Sequence, residues 1–337
     1  MKIILAPEHP GHFFVDEFAY IMQLQFDNFA AQMESSSFAQ NKNRLKMRYL
    51  LVLLLCSLFV SCEKNIDFDL KESAPTLVVE GEIESGLPPR IVLTKSLDYF
   101  SQINPQLLAG SFVHNAEVLL SDGVQTERLV EYSIPLGLGY SIYFYSVDTS
   151  SPANIMLGEF NKEYTLTILA EGKSYTATTR IPALTNIPDS VFFRPAPQNP
   201  DTNKRVMFLT ISDPPGLGNC GRYFTKKNSE PFYPGDNSVY NDDVVDGTTY
   251  TVQVEPGINR NDPPEFEENF FKKSDTVTLK LTNIDRATYN FWNTWEFAQQ
   301  SIGNPFSQPN KVLGNISNGA LGAFCGYASW YKTIVVE

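Results

Sequence analysis

The residue in this chain whose setting points most directly to chemistry is Cys62. It closes the run Arg48-Tyr-Leu-Leu-Val-Leu-Leu-Leu-Cys-Ser-Leu-Phe-Val-Ser-Cys62. Lys42, Arg44, Lys46 and Arg48 form a basic flank, Tyr49 to Val60 is apolar, and Ser61 puts a small residue before the thiol. That order predicts a lipoprotein signal peptide whose terminal cysteine receives fatty acyl chains of the palmitate type. Each buried methylene contributes about 0.8 kcal/mol, so several chains on Cys62 hold a protein at a membrane where one chain would not.

Other reactive side chains are sparse. Cys56 lies inside the apolar run, which leaves Cys220 and Cys325. In an exported protein these two either pair or stay free, and a separation of more than a hundred residues leaves both alternatives open. His114 is the single histidine after Cys62. A Ser-His-Asp triad or a multi-histidine metal site would have to be built around that one ring, and a structural histidine is the expected role. Zinc lacks any Cys-x-x-Cys pairing.

Asp236, Asp242, Asp243 and Asp246 gather carboxylates of the type calcium takes, but without EF-hand spacing, and a solvated acidic turn is the expected reading with a calcium site as the alternative. Glu265, Glu267 and Glu268 have the residue type of a glycosidase pair but sit beside Pro263 and Pro264 in a polar stretch. Tyr140, Tyr143, Phe144, Tyr145, Trp292, Trp295 and Trp330 offer rings that either stack on sugars or fill a core. No catalytic residue and no cofactor is expected from these patterns.

The elements around these residues set the organisation. Twelve apolar residues span about 18 Å as a helix, short of a bilayer core of about 30 Å, which favours a cleaved signal over a permanent span. An export signal belongs at an amino terminus, and Met47 offers a start immediately before it. The expected division is therefore an over-extended leader at 1–46, a signal at 47–61, a lipid-anchored tether at 62–74, a β-sandwich at 75–183 and a second β-rich domain at 184–337. The chain carries a formal charge of −12, and the leader and signal hold five basic and five acidic residues, so the remainder is equally acidic. With no basic track after Cys62, nucleic acid is excluded as a partner.

Leu77–Ile83 and Arg90–Thr94 read as paired strands around a Gly/Pro turn, and Ala116–Leu120 and Tyr140–Tyr145 read as further strands. The clearest hairpin is Glu163–Ile168 with Ser174–Thr179, turning at Glu171-Gly172. Short alternating strands at this spacing predict an immunoglobulin- or transthyretin-like β-sandwich. Prolines 182, 188, 195, 197 and 200 mark a connector. Strands are expected at Ser190–Phe193, Arg205–Ile211, Thr249–Val254 and Thr276–Leu281, with one helix over about 285–302 capped by Asp285 and stopped at Gly303-Asn304-Pro305.

In this order the pieces resemble an uncharacterised family of outer-membrane lipoproteins from Bacteroidota, domain of unknown function 4249. The resemblance rests on the Cys62 lipobox with Ile66-Asp67, Leu77-Val-Val-Glu-Gly-Glu-Ile83, Val92-Leu-Thr94, Asn115-Ala-Glu-Val118, Tyr164-Thr-Leu-Thr167 and Asp213-Pro214. Asn304-Pro-Phe306, Asn315-Ile316, Gly319 and Gly322-Ala-Phe324 complete it. It departs from the family pattern in the long leader and in Cys325, where a small or polar residue is expected. The resemblance implies a lipid-anchored β protein on the periplasmic or cell-surface face of the outer membrane, beside TonB-dependent receptors and without assigned catalytic residues. The expected function is a non-enzymatic accessory or ligand-handling role, with a carbohydrate-binding module and a calcium- or carboxylate-dependent hydrolase as the alternatives.

Overall fold

The computed structural model describes residues 74–337 apart from 98–100, 103, 138–139, 151–154, 266–268, 305 and 309. The leader, the signal, Cys62, most of the tether, Glu267 and Glu268 therefore lie outside the described residues. Among those described, no helix is long and apolar enough to cross a membrane.

The amino-terminal half is β, as expected. Its strands are β1 (Leu77–Glu84), β2 (Arg90–Lys95), β3 (Glu117–Ser121), β4 (Thr126–Gly137), β5 (Tyr140–Ser146), β6 (Lys162–Ala170) and β7 (Lys173–Ile181). A short helix, α1 (Pro105–Gly110), is capped by Asn104, which accepts from the Leu107 amide at 2.8 Å. The β6–β7 hairpin turns where the sequence placed it. Glu171 and Gly172 both take positive φ, 53° and 76°, which matches the twist of a tight antiparallel pair.

The carboxyl-terminal half adds β8 (Ser190–Pro195), β9 (Lys204–Ser212), β10 (Cys220–Lys227), β11 (Tyr233–Asn241), β12 (Thr249–Val254), β13 (Phe271–Lys272), β14 (Thr276–Ile284), α2 (Arg286–Gln300) and β15 (Leu321–Val335). Helix α2 begins at the expected cap. Asp285 accepts from the Thr288 amide at 2.7 Å through one oxygen and from the Arg180 amide of β7 at 3.0 Å through the other. One carboxylate thus starts the helix and fixes it to the first half of the chain.

The connector at residue 183 runs between two cores without breaking the sheet. Strand β15 returns to pair in parallel with β1, so eleven strands follow one path, β11-β10-β14-β15-β1-β2-β5-β4-β3-β6-β7. The sheet curls until β7 meets β15, where a Cβ on Gly326 would come within 2.6 Å of the Arg180 carbonyl. Inside the curl, Val79, Ile83, Leu93, Val118, Leu120, Leu166, Ile168, Ile181 and Phe324 form the first core. In a second layer β9 pairs with β8, β12 and β13. Met207, Leu209, Ile211 and Phe271 from that layer pack on Val277, Leu279 and Leu281 of β14.

The β3–β4 turn carries a pH-dependent brace. Asp122 accepts from the amides of Val124 and Gln125 at 2.9 and 2.8 Å and pairs with Lys162 at 2.6 Å. The Gln125 amide, followed by Lys162, holds its carboxyl down at about 2. A depressed native pKa stabilises above the ordinary carboxyl range and loses that stabilisation as pH falls through the native value. Asp122→Asn should cost about 1–2 kcal/mol at pH 7 in denaturant unfolding, and the gap to the parent should close between about pH 4 and pH 2. A gap independent of pH would contradict the ionic part of the brace.

Candidate binding cavity

Strand alternation gives β1 two faces. Val79, Gly81 and Ile83 turn into the first core, while Val78, Glu80 and Glu82 turn the other way beside Leu321, Ala323 and Cys325 of β15. On β10 the same period puts Cys220, Arg222 and Phe224 on that second side and sends Tyr223 to the other core. Helix α2 covers this side with Phe291, Trp292 and Trp295, and the segment 311–320 closes one flank. The result is a cavity of about 970 Å³.

The flank is tied down by side chains. The Leu313 amide donates to Thr294 Oγ1 at 3.0 Å, and Asn310 donates to the Thr294 carbonyl at 3.2 Å. Asn315 bridges β7 and β15: its amide nitrogen reaches the carbonyls of Thr178 and Phe324, and its oxygen accepts from the Phe324 amide. The wall is thus built before any ligand arrives.

Two guanidiniums and one carboxylate sit against the tryptophans. Glu296, on the helix one turn beyond Trp292, is buried and accepts from the Ser238 amide at 2.9 Å and from the Ser238 hydroxyl. Arg222 is buried, donates through Nε to Ser238 Oγ at 2.9 Å and lies 3.7 Å from Glu296 Oε1. Its guanidinium carbon stands 3.5 Å from the centre of the Trp292 ring, a close cation–π contact. Arg260 approaches the same Glu296 oxygen at 3.6 Å and faces Trp295 at 5.0 Å. Trp292 Nε1 donates to the Tyr327 hydroxyl at 2.8 Å. Burial presses the Arg222 pKa down, while Tyr327 and Glu296 oppose it.

Residues singled out by sequence are distributed unevenly around this cavity. Trp292 and Trp295 line it, whereas Trp330 packs on the second core. Tyr145 is buried in the first core, and Tyr143 packs edge-on against His114 at 4.5 Å. His114 pairs with Glu131, whose other oxygen accepts from the Asn115 amide at 3.2 Å and the Tyr145 hydroxyl at 3.2 Å. That network is structural. Glu265 is exposed.

Of the four candidate calcium ligands, Asp242 and Asp246 do meet, joined by Asp213, with oxygens within 4.8 Å of one another. Asp236 and Asp243 belong elsewhere: Asp236 receives Gln300, and Asp243 faces Arg286 at 3.5 Å. The grouped carboxylates already accept backbone amides, Asp242 from Gly218 and Asn219, Asp246 from Gly216 and Asp213 from Gly247. Burial and its acidic neighbours raise the Asp213 pKa; at Asp242 burial is outweighed by those amides, which hold it low. Lacing the 214–219 loop to the turn after β11 accounts for the cluster as an acidic turn.

Cys220 and Cys325 are both free and both buried. They stand on β10 and β15 with β14 between them. Two strand spacings and an offset of two residues along β15 place their Cα atoms about 11–12 Å apart, beyond the reach of an S–S bridge. Burial pushes the thiols up to about 11 and about 12, so neither is a nucleophile at neutral pH.

The residues sequence reasoning passed over are Arg222, Arg260 and Tyr327. The signal for Arg222 was weak: in Cys-Gly-Arg-Tyr-Phe-Thr it shares a strand face with Cys220 and Phe224, and its charge interrupts the apolar pattern that would mark a strand. Nothing local pointed to Arg260.

The fold and the cavity define a mainly β protein whose long sheet carries a helix-roofed pocket of tryptophan and arginine. The chain belongs to the family described as Domain of unknown function (DUF4249), whose model matches residues 63–333. No curated protein matches it.

Proposed function

We propose that this protein is a non-enzymatic lipoprotein of the Bacteroidota outer membrane, held by acylated Cys62, that handles a small ligand for a TonB-dependent transport complex. The observation that carries the ligand-handling part is the cavity of about 970 Å³ with its convergent Trp292, Trp295, Arg222 and Arg260. A volume of that size suits a small molecule, and a few fixed polar groups in an aromatic wall are what orient one. The same rings support the carbohydrate-binding alternative, since tryptophan faces pack on sugar rings. The hydrolase alternative has less behind it, because Asp213, Asp242 and Asp246 are engaged by backbone amides and Glu296 by Ser238 and two arginines.

The anchor is tested by Cys62→Ser in the native host. The parent should sediment with outer membranes and co-purify with a receptor of the TonB-dependent type, and the variant should move to soluble or inner-membrane fractions and lose the receptor. Unchanged fractionation would remove the anchor from this reading.

A further inference from the structure

Charge is unbalanced in the deepest part of the cavity. Arg222 and Arg260 share a single carboxylate, and both approach the same atom, Glu296 Oε1, at 3.7 and 3.6 Å, outside hydrogen-bond range. Glu296 is already occupied by the amide and hydroxyl of Ser238. Around the rest of the wall the charges cancel. Arg90 and Glu82 pair at 2.8 Å, and Glu80 and Lys311 contribute one charge of each sign. Among the described residues one positive charge is left over, in a pocket of a chain whose net charge is −12.

A buried cation without a full counter-charge is costly, and the Trp292 face against Arg222 offsets only part of that cost. Arg260 has donor capacity to spare. Its Nη2 serves the carbonyls of Gly235 and Asp236 at 3.1 Å each, while among the described residues no hydrogen bond is made by its Nε or Nη1. Its side chain keeps 25% of its exposure, so a ligand can reach it. The Nε–H and Nη1–H groups lie on different edges of the guanidinium, and each can give one charge-assisted hydrogen bond to a carboxylate oxygen.

Building on the ligand-handling reading, we propose that the cavity selects a ring-bearing monocarboxylate: the carboxylate meets Arg260 and completes the charge of the Arg222–Glu296–Arg260 group, and the ring lies against Trp295. Acidic sugars and aryl acids share this chemistry, and matched probes separate them. One pair is the monoanion galacturonate and neutral galactose, the other 2-naphthoate and 2-naphthylmethanol, each titrated into residues 62–337 by calorimetry and tryptophan fluorescence.

In at least one pair the acid should bind tighter than its neutral partner by about ten-fold or more. The pair that shows this identifies the ring. In Arg260→Gln, confirmed folded by its melting curve, that advantage should vanish, and Arg260→Lys should retain part of it. Equal affinity within both pairs overturns the carboxylate preference while leaving ligand handling standing. An acid preference that survives Arg260→Gln overturns the assigned headgroup contact. Absence of binding by all four probes to the folded protein counts against both readings.

Discussion

Glu296→Ala should destabilise the protein by about 3–5 kcal/mol, because it leaves Arg222 buried with no carboxylate and strands the Ser238 amide. Glu296→Gln keeps the shape and an acceptor for Ser238 but removes the charge, so its loss should fall between Ala and the parent. Pairing Glu296→Leu with Arg222→Met should recover much of the deficit, since an apolar replacement of a buried ion pair often restores stability. Denaturant unfolding followed by circular dichroism measures all three. If Glu296→Ala stays within about 1 kcal/mol of the parent, the cluster is better solvated than its burial indicates, and the charge argument for the cavity weakens with it.

Gly322→Ala should cost about 3 kcal/mol or more and unzip the joint between the two halves of the chain. Gly322 adopts φ +90°, and a Cβ there would stand 2.0 Å from the Val79 carbonyl. Both the left-handed backbone and the close approach demand glycine. The clash lands on the parallel β1–β15 pairing, the rung through which the amino-terminal strands join β14, β10 and β11. Gly319→Ala is the matched control, with φ +75° and open space around the added carbon, so it should carry only the backbone strain of about 1–2 kcal/mol. Hydrogen exchange should show amides of β1 and β15 losing protection together in Gly322→Ala. Equal costs for the two variants would mean that β1 yields without breaking.

These two sites also show where reading the sequence stops. The β6–β7 hairpin was legible because its turn residues and its alternation are local, and helix α2 because Asp285 and Gly303 bracket it. Strands β10 and β15 were not assigned. Arg222 interrupts the apolar alternation of one, and the other runs as near-continuous buried residues from Ala323 to Ala328, which periodicity alone does not separate from other buried segments. The grouping of Asp242 and Asp246 was foreseen, but their partner Asp213 comes from the end of a different strand.

Local physics in the chain itself determined a great deal: a mainly β protein, its hairpins, one capped helix, an acidic chain with no nucleic-acid track, and the residues that carry the family pattern. Tertiary structure alone decided that the last strand returns to lie parallel to the first, that Cys220 and Cys325 stand on strands separated by β14, and that Arg222, Arg260 and Glu296 converge beneath two tryptophans. Such convergence depends on pairings between residues as far apart in sequence as Val78 and Leu321. Propensity and periodicity act over a few residues, whereas a register across that distance is fixed only when the whole sheet closes.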